Sequence, residues 1–283
     1  MNFNDNKWDI LIEAKRTPIF LNPRKIIEYK DLIFLFVRRD MAVTYKQTIL
    51  GPLWYFVQPI FTTIVFMTVF RYMASLGTDD IPPVLFYSIG TILWSFFSSL
   101  LTIHARVFYS NKDIFGKVYF PRITVPIATI ISESIKFLIQ FALFTVIYVF
   151  YLFRGYKHFL SIRLLLLPLI VIWLILLATG LGLVISSITT RYRDLALALS
   201  FFLSLIMYAS PVVYPFSELS GKFKILIALN PITAIIECFR YSCFGTGAVS
   251  LYMILYSLAC TVIFFLGGII LFNINEKSFV DII

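Results

Sequence analysis

Charge is scarce in this chain: only 14% of its 283 residues are Asp, Glu, Lys or Arg, against about 25% in soluble domains. That shortage excludes a fold wrapped in a solvated surface. Histidine is scarcer still, with only His104 and His158, which loop charge assigns to opposite membrane faces, so they cannot share a metal. The three cysteines, Cys238, Cys243 and Cys260, have no metal-ligand spacing and lie in or near apolar segments, where a thiol behaves as a small hydrophobe. Neither a disulfide framework nor a zinc site follows. Paired carboxylates, a Ser/His/Asp order and a Gly-rich phosphate loop are all missing. The chain is therefore expected to be no enzyme, with no catalytic residue and no metal ligand, and any nucleotide chemistry must come from another subunit. Its opening stretch, MNFNDNKWDILIEAKR, lacks the apolar core and small-residue cleavage site of a signal peptide. The N-terminus is expected to stay in the cytoplasm.

What the sequence has is apolar length, with 60% hydrophobic residues and a mean hydropathy of +0.89. Uncharged runs at about 47–70, 81–103, 130–153, 164–190, 195–214 and 247–273 each approach the roughly 20 residues that cross hydrocarbon as a helix. The third run reaches its length by extending back through Glu133 and Lys136. This predicts an all-α polytopic membrane protein, with a cytoplasmic segment 1–46 before a six-span domain 47–283. Sixteen of the 24 Lys and Arg fall on one side of these spans and seven on the other. The excess marks the cytoplasmic side and puts both termini there. The net charge of +9 is read as that orienting signal, with no nucleic-acid partner. The loop holding Arg154, Lys157 and Arg163 runs against the rule.

Before the first span, Arg24 to Val43 has Ile26, Tyr29, Leu32, Ile33, Phe36 and Val37 on one helical face and Arg24, Glu28, Asp31, Arg38 and Arg39 on the other. The pattern fits a helix lying on the membrane and fits equally one packed on a partner. Between spans five and six, Ile225 to Ile236 is apolar but too short to cross, and Asn230-Pro231 interrupts it. Such a run suits two re-entrant half-helices, tolerated against protein or a water-lined cavity, and reads as a plug or gate. Glu133 with Lys136, and Glu237 with Arg240, stand three apart on helices and are expected to pair.

Fifty aromatic residues, 30 of them Phe, exceed what an interfacial belt requires. Trp54, Tyr55, Trp94, Phe96, Phe97, Tyr208 and Tyr214, at span ends or midway along them, are candidates to line a conduit in which flat rings slide past sugar faces. In the loop after span two, Arg106, Lys112, Lys117 and Arg122 alternate with Phe108, Phe115, Tyr119 and Phe120. That spacing suits a short docking helix and also basic side chains snorkelling at the interface.

Several segments together resemble one family. They are RRDMAVTYKQTILGPLW followed by Gln58-Pro59, NKDIFGKVYFPRITVP, RYRD at Arg191 to Asp194, SPVVYP and NPITAIIECFRY. In this order and spacing they resemble the permease subunits of ABC-2 polysaccharide exporters, which translocate lipid-linked O-antigen and, in relatives, teichoic acid. The resemblance covers Arg38 to about Tyr241. It implies a homodimer of six-span permeases in the bacterial inner membrane, bound to two cytoplasmic ATP-binding subunits that carry the ATP and Mg. It implies an amphipathic interface helix before span one, a cytoplasmic coupling helix at Asn111, Lys112, Asp113, Ile114, Phe115, Gly116, Lys117 and Tyr119, and two short periplasmic gate helices. The gate would include Pro215, Asn230, Pro231, Glu237 and Arg240. Arg38, Arg39 and Lys46, at cytoplasmic headgroup depth, either anchor the chain or attract a lipid diphosphate. Rival expectations are an ABC-2 exporter of a small amphiphile or drug and a membrane transferase acting on lipid-linked sugars; the missing polar catalytic cluster counts against the transferase.

Overall fold

A backbone in hydrocarbon has to satisfy its own N–H and C=O groups, and a helix does so within one segment. The apolar runs accordingly form helices, and no strand occurs among the residues described by the computed structural model, 23–45, 51–117, 120–156, 162–189 and 194–282. Two helices, α1 (Pro23–Glu28) and α2 (Lys30–Tyr45), lead to α3 (Trp54–Phe66), which continues as a π-helix over Met67–Met73. Then come α4 (Pro83–Ala105), the single turns α5 (Val107–Ser110) and α6 (Lys112–Phe115), and the long α7 (Thr124–Phe153). The chain continues through α8 (Leu167–Thr189), α9 (Asp194–Tyr208), α10 (Gly221–Ala228), α11 (Pro231–Phe244) and α12 (Leu251–Ile282).

Among the described residues, five segments are long and apolar enough to cross a membrane: Gly51–Met73, Pro83–Ala105, Thr124–Phe153, Ile162–Thr189 and Leu251–Asn275. The chain is a multi-pass membrane protein. Its fifth apolar run differs from the expected 195–214, because α9 stops at Tyr208 and its 15 residues reach about 22 Å. Pro211 forces that stop, since it supplies no N–H and pushes Ser210 out of helical geometry. The last span also starts later than the expected 247, at Leu251, well after Gly245 ends α11 in left-handed geometry (φ 72°). The third starts earlier, at Thr124 instead of 130. The surface helix predicted over Arg24 to Val43 is divided at Tyr29 into α1 and α2.

Helix α4 is the buried pole of the bundle and touches α3, α7, α8, α9 and α11. Leu85, Phe86, Ile89, Leu93 and Leu100 along it are fully or almost fully buried. Helices α8 and α12 approach until their backbones touch. A Cβ on Gly180 would stand 2.6 Å from the Phe265 nitrogen, and one on Gly268 would stand 2.6 Å from the Gly180 oxygen. Small residues allow this contact in a membrane, where packing replaces the hydrophobic drive between helices.

A second cluster ties one end of the bundle together. Ile33, Phe36 and Val37 of α2 pack with Phe108, Phe115, Phe120 and Phe272. Phe108 stacks on Phe272 at 4.7 Å and Phe36 tilts against Phe120 at 5.7 Å. The apolar face anticipated for α2 is therefore spent on its own chain, while Phe34 and Leu35 face outward.

Candidate functional site

At the end of the bundle away from α2, an ion pair joins four segments. Arg240 and Glu237 of α11 meet at 2.9 Å, with 2% and 1% of their side chains exposed. The Arg240 guanidinium also donates to the Val212 carbonyl at 3.2 Å and lies 3.8 Å from the centre of the Phe86 ring on α4. The second Glu237 oxygen accepts the Ala248 N–H at 3.2 Å. Spacing foretold the pair but not Phe86, Val212 or Ala248, which sequence distance hides. The carboxylate and the carbonyl engage the two terminal nitrogens of the guanidinium, while its buried Nε has no hydrogen-bond partner. The effect is positional: α11 and the turn after α9 are held against α4. Gly90 permits the contact, since a Cβ there would sit 2.8 Å from the Val212 oxygen.

The short α9 poses a second problem, because the last carbonyls of a helix have no intrahelical partner. Tyr214 donates its hydroxyl to the Tyr208 carbonyl at 2.9 Å, and Asn230 donates Nδ2 to the Ala209 carbonyl at 3.2 Å. Partial burial pushes the Tyr214 phenol up to about 12, so it stays a donor at physiological pH. Asn230 also caps α11 by accepting from the Ile232 N–H, with Pro231 in the first turn. Pro215 begins the next short turn, Phe216–Glu218. That turn meets the loop after α3, where Ser217 donates to Asp79 at 2.5 Å and the Gly77 N–H reaches Glu218 at 3.4 Å. This outer strap was not legible in the sequence; left-handed Asp79 and Asp80 are its local sign, Asp being among the residues that tolerate that geometry.

At the α2 end the expected coupling segment holds the single turn α6, and the helical path into it from α5 is interrupted. Asn111 breaks it by bonding its side chain back to the Val107 carbonyl at 2.9 Å, a local competition with helix hydrogen bonds. Phe115 is buried against Phe108, Phe120 and the Arg122 guanidinium. It anchors the turn from beneath. Ile114 is half-buried, whereas Lys112, Asp113, Gly116 and Lys117 are exposed with Tyr109 and Ser110. Tyr119 and Lys46 lie outside the described residues. Arg38 is exposed, while Arg39 pairs with Asp40 at 2.8 Å and lies over Phe36 at 4.8 Å.

The candidate rings separate into two groups. Trp94, Phe96 and Phe97 are 7%, 3% and 4% exposed, with Phe96 stacked on Phe137 at 4.7 Å. In this chain they pack in the core along the central helix α4. Trp54 and Tyr208 are exposed. Tyr55 is half-buried beside Lys136, whose amine is 5.9 Å from its ring. Lys136 pairs with Glu133 at 2.5 Å, and Ser99 donates to the other Glu133 oxygen at 2.7 Å.

Residues 31–244 match the ABC-2 type transporter family. The chain belongs to that family. This ABC-2 protein is similar to the O-antigen export system permease protein RfbA of Klebsiella pneumoniae, 26% identical over 253 residues covering 89% of this chain and 95% of the relative. It resembles the RfbA protein of Myxococcus xanthus at 24% identity, covering 77% of this chain and 82% of that one. The polysialic acid transport protein KpsM of Escherichia coli is 23% identical, with coverage of 71% and 77%. The ABC-2 match spans the ion pair, the α9 caps and the turns α5 and α6, so the geometry above lies within the shared region.

Proposed function

We propose that this chain is the permease of an ATP-driven exporter that moves a lipid-linked polysaccharide of the O-antigen class from the cytoplasmic to the periplasmic side of the bacterial inner membrane. The observation that carries the proposal is co-extension: relatives named for O-antigen export align with 77–89% of this chain. Two copies form a homodimer and meet two cytoplasmic ATP-binding subunits, which bind ATP and Mg. Residues 1–46 form the N-terminal segment and 47–283 the transmembrane domain, with α9 as the fifth of six spans. The joint burial of α2 with Phe272 of α12 supports an even number of crossings, with both termini cytoplasmic.

In this reading Lys112, Asp113, Gly116 and Lys117 meet the ATP-binding partner, on a turn held from beneath by Asn111, Ile114 and Phe115, and Tyr119 contributes to the same contact. Arg38 and Lys46 attract the lipid diphosphate, with Arg39 shared with Asp40. Trp54, Tyr55 and Tyr208 present rings toward the pathway. Helices α10 and α11 form the re-entrant gate pair, positioned by Pro215, Asn230, Pro231, Glu237 and Arg240. Nucleotide on the partner supplies the bias, because a conformational equilibrium shifts only when a ligand binds one state better. The test is deletion of the gene: undecorated lipid-linked polysaccharide accumulates inside the cell. Normal surface glycans with loss of drug resistance overturn the substrate class.

A further inference from the structure

The turn between α7 and α8 carries positive charge at the end of the bundle opposite α2. Arg154 lies over the Phe150 ring at 4.8 Å, and Arg163 lies over the Tyr241 ring at 4.7 Å. Both arginines are exposed. A cytoplasmic location would explain such residues by orientation alone; this end, in the topology proposed above, is periplasmic.

Tyr241 belongs at once to Arg163 and to a groove. The groove, of about 540 Å³, runs between α8, α11 and α12 and is lined by Leu166, Leu169, Ile170, Trp173, Tyr241 and Leu258 among others. That volume falls within the range of about 300–1,000 Å³ usual for small-molecule sites. Leu169 and Leu258 are 63% and 40% exposed, so the groove opens sideways toward acyl chains. Two polar groups on its wall are engaged within the protein. Trp173 donates to Thr261 at 2.9 Å, and Ser242 donates to the Cys238 carbonyl at 2.9 Å. The groove therefore offers hydrocarbon contact along its length, and the Tyr241 ring in its wall carries the Arg163 guanidinium.

An occupant matching both features has one flexible apolar chain and one anionic headgroup, and it arrives from the bilayer. We propose that the groove holds an acyl chain of an anionic phospholipid whose phosphate sits against Arg163. A neutral phospholipid fills the same groove and gains less from the guanidinium, which is where selectivity arises. Because the walls belong to α8 and α11, bound lipid also braces α11 from the side opposite Phe86. Only the name of the leaflet rests on the proposed topology; the site itself does not depend on the transported substrate.

Trp173 makes the site observable. Its emission is the difference between the protein and its Trp173→Phe variant in phosphatidylcholine vesicles. Increasing amounts of dibrominated phosphatidylglycerol or dibrominated phosphatidylcholine are then added as quenchers. The expected result is half-maximal quenching at about a fivefold lower mole fraction of the phosphatidylglycerol, the effect expected of one arginine facing an anionic headgroup. Arg163→Gln loses the preference and Arg163→Lys retains it, which separates charge from folding. Lys224→Gln also retains it, since Lys224 lines a different groove beside Phe216. Equal quenching by the two lipids, or a preference surviving in Arg163→Gln, overturns the proposal whatever the protein exports.

Discussion

Asn230 donates to the Ala209 carbonyl that ends α9, at 3.2 Å, and its other side-chain atom accepts the Ile232 N–H that starts α11. One amide therefore closes one helix and opens the next. The arrangement explains how a helix as short as α9 can end beside apolar segments without an orphaned carbonyl, a group whose burial is costly.

Asn230→Ala is expected to lower stability by about 1–3 kcal/mol, the range for leaving a buried polar group unsatisfied with loss of an N-cap. Asn230→Asp keeps the acceptor for Ile232 and loses the donor to Ala209, so it should fall between. Unfolding of the detergent-solubilised protein in urea measures all three. Equal midpoints and slopes would rule out the double cap.

Tyr214 offers a pH readout of the same helix end. Its phenol is raised from 10.0 to about 12 by burial, so the folded state favours the protonated form. That contribution is present below pH 10 and is lost as pH rises from 10 to 12. In alkaline unfolding, the wild-type protein should lose stability over this window relative to Tyr214→Phe. Parallel curves would contradict the assignment.

The Glu237–Arg240 pair should behave as a buried unit. Either Glu237→Leu or Arg240→Met leaves an uncompensated charge and is expected to cost about 3–5 kcal/mol, whereas the double variant Glu237→Leu/Arg240→Met recovers much of the loss. A double-mutant cycle in chemical unfolding gives the coupling energy. Additive losses would mean the two residues act separately.

The sequence carried the parts of this protein whose cause is local. Apolar run length marked the crossing segments, and three-residue spacing marked Glu237 with Arg240 and Glu133 with Lys136. The apolar stripe of α2 was visible through Ile33, Phe36 and Val37, although what it packs against was not. Helix α9 was overextended because its apolar run continues past Pro211, which stops the helix; its last carbonyls are then met by Asn230 and Tyr214, residues read as gate and pathway groups. Trp94, Phe96 and Phe97 were assigned to a conduit because composition cannot tell a ring facing a pathway from one inside the bundle; only the central place of α4 decides. The strap from Asp79 to Ser217 joins residues far apart in the chain, so no local pattern announces it.

Gly180→Val should disrupt the α8–α12 contact, since its added atoms meet the backbone of Phe265, which cannot move aside as a flexible side chain can. A loss of folded, monodisperse protein in fluorescence-detected size-exclusion chromatography is the expected result. Gly267→Ala is the control, because nothing lies within 4 Å of its Cβ position. Equal yields of the two variants would show that helix separation at Gly180 is not limiting.

The α5–α6 turns separate anchoring from docking. Phe115→Ala removes a buried ring and should cost about 3–5 kcal/mol, lowering the amount of protein in the membrane. Lys112→Glu and Asp113→Lys change exposed charges and should leave that amount within about 20%, because surface substitutions usually shift stability by no more than about 0.5 kcal/mol. If this face meets the ATP-binding subunit, the same two variants lower co-purification of that subunit and export several-fold, chiefly through charge complementarity at the interface. Membrane level and partner recovery are measured on the same preparation. Should both charge variants recover the partner at wild-type levels, the docking surface lies elsewhere and the turn serves only to join α4 to α7.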